Sequence, residues 1–264
     1  MLDKFDIMLV LIGLGLFDEK DLSIRGIEEA RSSDRVFIEL YTSYWHGDLK
    51  KLEEMIGKKV EVLERKDLEE ECRRIIEMAK KQKVVILVQG DPLTQTTHAI
   101  LLKEAMERGI ETRVVHNASS VSAIGETGLH LQKFGRYVTI PFLEKTKGEL
   151  PFSVYEIIRE NRERGLHTLC LLDVIAEEEK YMRVSEALQI LLMMEEERKE
   201  GVLRKDDKVV VCCKLGAPTP KIMYGTVEKI LKISPQEIPA LIIIPSDLHF
   251  TEKELLNFYS IENV

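Results

Sequence analysis

The chain has 264 residues, 44% of them hydrophobic and 32% charged, which suits one large or two ordinary globular domains and excludes a disordered polypeptide. A formal net charge of -8 argues against general binding to nucleic acid or to an anionic membrane, since both need basic surface. The cysteines Cys72, Cys170, Cys212 and Cys213 form no CxxC pair and mostly sit in apolar runs, so reduced buried thiols in a cytoplasmic protein are expected, not a disulfide or metal framework.

The segment Met8–Phe17 is apolar but too short to span a bilayer, and no basic stretch precedes it, so it reads as a buried first strand, Met8–Ile12, ending at Gly13-Leu14-Gly15-Leu16. Ser23 is placed to cap a helix with apolar positions Ile24, Ile27 and Ala30. A strand at Val36–Leu40, a short helix at Asp48–Ile56 closed by Gly57, and a strand at Val60–Leu63 follow. Asp67 with Glu70 resembles a capping box for a helix running to about Gln82. The run Val84-Val85-Ile86-Leu87-Val88 is apolar on both faces, as expected in the middle of a parallel sheet. It breaks at Gly90-Asp91-Pro92, and a helix from about Thr97 to Gly109 and a strand at Glu111–His116 complete the half. Five alternations of strand and helix predict an open parallel α/β sheet, in which ligands sit beyond the carboxyl ends of the strands.

After the polar step Asn117-Ala118-Ser119-Ser120 the pattern changes. A short helix is expected from Ser120 or Ser122 through Ile124, a strand at Tyr137–Phe142, a loop at Glu144–Leu150 and a helix at Ser153–Arg164 ended by Gly165. A strand at Thr168–Leu172, a long helix Glu186–Lys199 capped by Ser185, and a strand at Val209–Cys213 follow. The five-residue connection 216–220 is too short for a crossover, so Ile222–Gly225 should run antiparallel to its predecessor. Leu241–Ile244 is a last strand, and Thr251 with Glu254 would cap a final helix. The reading is two α/β domains, residues 1–116 with a parallel sheet and residues 117–264 with a mixed sheet, with a ligand cleft between them.

The chemistry in these residues is limited. The pattern Gly13-Leu14-Gly15 lacks the third glycine of a dinucleotide fingerprint, because Asp18 stands there. Gly90-Asp91-Pro92 suits either a ligand loop or an Asx turn before a helix. His98 fits a structural helix start better than a catalytic base. No GxSxG, HExxH or P-loop pattern is present, and the histidines have no metal-ligand spacing.

Several motifs in order carry a resemblance. Ile12-Gly13-Leu14-Gly15-Leu16 with Asp18 and Asp21, Glu39 with Tyr41-Thr42-Ser43, Gly90-Asp91-Pro92 with Thr96-Thr97-His98, His116-Asn117-Ala118-Ser119, Thr127-Gly128-Leu129-His130 with Lys133-Phe134-Gly135, and Gly165-Leu166-His167-Thr168-Leu169-Cys170-Leu171-Leu172-Asp173 closely resemble the diphthine synthase family, within the tetrapyrrole-methylase-like group. The absence of a long insertion before Tyr181-Met182 looks archaeal. The resemblance implies a homodimeric enzyme that uses S-adenosyl-L-methionine (SAM), with S-adenosyl-L-homocysteine as product. It would methylate the amino group of the aminocarboxypropyl-modified histidine of translation elongation factor 2, giving diphthine. It implies cofactor contacts at Leu16, Asp91, Thr94, Ser119, Ser120, Leu172, Leu215 and Ala240, although Thr94 and Ser120 stand where apolar residues are expected. It points to no metal, no nucleic acid and no membrane. No residue is identified as a dedicated base; Glu39, Tyr41 and Asp91 are candidates, and solvent is an equal one. The rival enzyme reading is a same-group methyltransferase acting on a tetrapyrrole or ribosomal RNA, and the rival of another class is a non-catalytic scaffold.

Overall fold

Apolar runs at the start and middle of the first half form the heart of its sheet. The computed structural model describes residues 7–70 and 72–262, and the chain divides into two compact units, Met1–Val121 and Ser122–Val264. In the first, β1 (Met8–Gly13), β2 (Arg35–Glu39), β3 (Val60–Leu63), β4 (Lys83–Val88) and β5 (Glu111–Val115) pair in the order β3-β2-β4-β1-β5, every neighbour parallel. Every residue of β1 and β4 is buried, as strands covered on both faces must be. One face carries Met8, Val10, Ile12, Val36, Ile38, Val85 and Leu87 against Leu22, Ala30, Leu52 and Ile56. The connecting helices are α1 (Ile24–Arg31), α2 (Leu49–Ile56), α3 (Arg65–Glu69), α4 (Arg73–Ala79) and α5 (Ala99–Glu107). Ser23 caps α1 through Gly26 N–H, and Asp48 caps α2 through Lys50 N–H.

The expected helix over 67–82 is two shorter ones. The capping box lies three residues earlier: Glu64 is the cap and Asp67 the reciprocal partner, its carboxylate accepting from Glu64 N–H at 2.8 Å. The expected change of domain at 116/117 falls five residues earlier than the division seen. Asn117 explains the difference, because its backbone and side chain bond to Asp91, Gly13 and Asp21 of the first unit.

The second unit opens with α6 (Ser120–Ala123), which straddles the division, and continues through β6 (Val138–Ile140), α7 (Phe152–Glu163), β7 (Thr168–Leu172), the hairpin β8 (Val174–Ile175) and β9 (Lys180–Tyr181), α8 (Val184–Arg198), β10 (Lys208–Cys213), β11 (Lys221–Thr226), α9 (Val227–Ile233), β12 (Ala240–Ile244) and α10 (Phe250–Phe258). The sheet order is β11-β10-β12-β7-β6, with β6 and β7 parallel and the other pairs antiparallel. The short connection 216–220 therefore turns β10 back into an antiparallel β11, as its length requires. Its core joins Val209, Val211, Ile242 and Ile244 to Tyr155, Ile158, Leu188, Leu191 and Met194.

Two caps differ from expectation. Arg183, not Ser185, precedes α8. His249 and Glu252, not Thr251 and Glu254, form the box of α10: the Glu252 carboxylate also serves distant groups, so the pairing is tertiary as well as local. The strand expected over 137–142 shortens to Val138–Ile140. Among the described residues no helix is long and apolar enough to cross a membrane, and no group of three His, Cys, Asp or Glu is placed to hold a metal. The four cysteines are free thiols, three of them buried and Cys72 half-buried.

Candidate functional site

The loops leaving the carboxyl ends of β1, β2, β4 and β5 are stitched to one another by three polar side chains and one pair of glycines. Gly15 N–H donates to Gly90 O at 3.2 Å, and Gly90 N–H donates to Gly15 O at 2.9 Å, so the first and fourth loops pair through their backbones. A side chain would prevent this. Gly15 has φ +83°, and a Cβ there would lie 2.4 Å from the Asp21 Cβ; a Cβ on Gly13 would lie 2.5 Å from Gly90 O. The Asp21 carboxylate then fixes the turn by accepting from Leu16 N–H (3.0 Å) and Phe17 N–H (2.7 Å).

Asp91 joins the fourth loop to the fifth. Its Oδ1 accepts from Leu93 N–H at 3.0 Å and Thr94 Oγ1 at 3.1 Å; its Oδ2 meets His116 Nδ1 at 2.7 Å and accepts from Asn117 N–H at 3.2 Å. Burial pushes its pKa up, but these hydrogen bonds outweigh that effect and hold the carboxyl below its ordinary value. Asn117 continues the stitch by donating from Nδ2 to Gly13 O and Asp21 O, each at 2.9 Å.

Glu39 joins the second loop to the fourth. Fully buried at the end of β2, it accepts from Thr42 Oγ1 (2.7 Å) and Gln89 N–H (3.2 Å) on one oxygen, and from Tyr41 N–H (3.3 Å) and Thr42 N–H (3.2 Å) on the other. Burial dominates and raises its pKa. The His98 ring is buried between Thr96 Oγ1, 2.8 Å from Nδ1, and Tyr41 OH, 3.3 Å from Nε2, and burial pulls its pKa down to about 4. His98 is therefore a neutral structural group, as the sequence led us to expect.

Of the positions named in advance, Leu16, Asp91, Thr94, Ser119 and Ser120 all lie on this loop edge of the first unit, Ser119 buried and Ser120 opening α6. In the second unit, register brings Leu172, Leu215 and Ala240 to one edge of its own sheet. Ala240 opens β12 opposite Cys213, Leu241 pairs Leu171, and Leu172 ends β7 one step on. Leu215 is buried directly beyond β10, between Lys214 and Gly216, both at positive φ. All four hydrogen-bonding positions on the Asp91 carboxylate are engaged within the loops, so its side chain holds the loop after β4 to the end of β5. Asn117 and His116 stand in a motif to which the sequence alone assigns no role. Nothing local in the sequence shows that they meet Asp91 from the end of β5, because that contact is made across the sheet.

Comparison with known proteins places the whole chain in a family. The family described as Tetrapyrrole (Corrin/Porphyrin) Methylases matches residues 8–231. A diphthine synthase from Methanocaldococcus jannaschii is 42% identical over 260 residues, 97% of this chain and 100% of the relative. The chain belongs to the diphthine synthase family. The diphthine synthase of Methanococcus aeolicus is 39% identical over 97% of this chain and 99% of its own length. A crystal structure of a diphthine synthase superposes with a TM-score of 0.86 at 34% identity, covering 96% of both chains. The match to diphthine synthases spans both sheets, as the order of the quoted motifs implied.

Proposed function

We propose that the loop edge built on Gly15, Gly90, Asp91 and Asn117 receives SAM, and that the chain methylates the aminocarboxypropyl-modified histidine of elongation factor 2. A diphthine synthase 42% identical over almost the whole chain carries this reading. As a member of that family the chain is a SAM-dependent methyltransferase of diphthamide biosynthesis. The residues present suit such a cofactor: the glycine-paired loops keep Cβ atoms out of the edge, and orphaned buried donors on neighbouring loops await an acceptor. In this reading Leu16, Asp91, Thr94, Ser119 and Ser120 contact the cofactor largely through backbone, and Leu172, Leu215 and Ala240 are assigned to it on the family resemblance. Homodimerisation and cytoplasmic residence belong to the same reading.

When bound, SAM supplies an electrophilic methyl on sulfur. The residues of the chain contribute position, which is the main requirement of an in-line displacement. Asp91 remains an ionised carboxylate that holds the fourth and fifth loops in register. Glu39 keeps the second loop against the fourth. All three base candidates are engaged internally: Asp91 by four donors, Glu39 by four donors, and Tyr41 by His98. We therefore assign the proton of the acceptor amine to solvent.

The test is partition of label. Incubation with methyl-labelled SAM, modified elongation factor 2, a tetrapyrrole and ribosomal RNA should label the factor alone. Label in either alternative acceptor moves the chain to another activity of the group, and no label anywhere leaves a scaffold.

A further inference from the structure

Among the described residues three buried side-chain donors have no hydrogen-bond partner: Trp45 Nε1, Gln89 Nε2 and Gln95 Nε2. All three lie on the loops that leave β2 and β4, adjacent strands whose ends Glu39 ties together. A buried unpaired donor is rare and costs roughly 1–3 kcal/mol, so three on two neighbouring loops are not an accident of packing. Their surroundings fix them. Trp45 packs against the buried core of the first unit and lies so close to Gly47 that a Cβ there would sit 2.0 Å from its indole. Gln95 holds φ +59°, a left-handed backbone that a side chain adopts only where the surrounding fold enforces it.

We infer that Trp45, Gln89 and Gln95 are binding residues for the carboxylate of an aminocarboxypropyl group. This inference rests on the function proposed above. Two primary amides and an indole offer donors without a formal charge. A carboxylate accompanied by its own ammonium group is already balanced, so neutral donors satisfy it without an added cation. Both molecules of the proposed reaction carry this group, SAM on its sulfur and the acceptor on its imidazole. The donors recognise chemistry that the two share.

Three near-isosteric substitutions, Gln89→Met, Gln95→Met and replacement of Trp45 by its sulfur analogue 3-benzothienylalanine, remove the donors and keep the bulk. The unliganded variants should melt at or above the wild-type temperature, because each loses an unsatisfied donor. Binding of SAM and of decarboxylated SAM is measured by calorimetry, and KM for the modified factor by methyl transfer. If the subsite takes the cofactor, each variant binds SAM roughly ten- to a hundredfold more weakly, and decarboxylated SAM as wild type does. If it takes the acceptor, SAM binding is unchanged and the acceptor KM rises by a similar factor. Variants that bind and turn over like wild type, that weaken SAM and decarboxylated SAM equally, or that melt several degrees lower overturn the inference. A wild-type enzyme that binds SAM but leaves the factor unlabelled overturns the functional reading instead, and the comparison of SAM with its decarboxylated form still decides the subsite.

Discussion

Gly15 and Gly90, seventy-five residues apart in sequence, exchange a reciprocal pair of backbone hydrogen bonds and so bind the loop after β1 to the loop after β4. Gly15→Ala should break this pairing, since the new Cβ would meet both a left-handed backbone and the Asp21 side chain. We expect a loss of about 2 kcal/mol or more in unfolding free energy, together with SAM affinity reduced beyond detection by calorimetry. Gly57→Ala is the control: its φ is +66° with nothing within 4 Å of the new Cβ, so it should cost only about 1 kcal/mol and leave SAM binding unchanged.

Asp91 is expected to organise the site without abstracting a proton. Asp91→Asn places an amide against donors on one side of the carboxylate, and Asp91→Ala removes the acceptor altogether. Each leaves buried N–H groups unpaired at roughly 1–3 kcal/mol apiece, so SAM affinity should fall at least tenfold. The pH profile of kcat should keep its shape in the Asn variant. Normal SAM affinity in Asp91→Ala, or loss of an acidic limb in Asp91→Asn, contradicts this role.

The buried His98 makes stability sensitive to mild acid. Its folded pKa of about 4 lies below the ordinary 6.5, so between these values the unfolded chain binds the extra proton. Stability is complete above pH 6.5 and declines as pH falls toward 4, by up to about 3 kcal/mol. His98→Gln should flatten chemical denaturation midpoints across that window while kcat stays within about threefold of wild type, an allowance set by the absence of any acid–base role.

Glu252 acts in a lower window. Its fully buried carboxylate accepts from Lys133 Nζ (2.7 Å), His130 N–H (2.8 Å) and His249 N–H (2.7 Å), with His167 Nε2 at 3.1 Å. Burial alone would raise its pKa, but these partners outweigh it and leave the group at about 2. A depressed carboxylate stabilises the fold above pH 4.5 and releases that stability as pH falls toward 2, here by about 3 kcal/mol. Lys133→Met leaves the buried charge short of its cation and should cost about 3–5 kcal/mol at pH 7. Denaturant titrations of wild type and variant at pH 7 and pH 3 measure both effects.

Much of the fold was legible because the determining signals are local. Val84–Val88, apolar on both faces, is the central strand of the parallel sheet, and the length of 216–220 dictated the antiparallel turn into β11. The glycines and Asp91 marked in advance the loop edge where β1 and β4 leave the sheet. What stayed hidden depends on partners distant in sequence. Glu64 displaced Asp67 as a cap, and Glu252 displaced Glu254, through hydrogen bonds that several sequence positions could supply equally well. The β8–β9 hairpin is only two residues per strand, too short for any alternation to register. Gln89 and Gln95 look like ordinary loop residues until the surrounding chain buries their amides.

Methyl transfer to the amine of the modified histidine is the reaction proposed for this chain. It is tested most directly by tandem mass spectrometry of modified elongation factor 2 after incubation with the protein and deuteromethyl SAM, before and after mild alkali. Labelled methyl groups should appear on the amine nitrogen and survive alkali. Label confined to an alkali-labile ester on the carboxylate, or absent from that histidine, would contradict it.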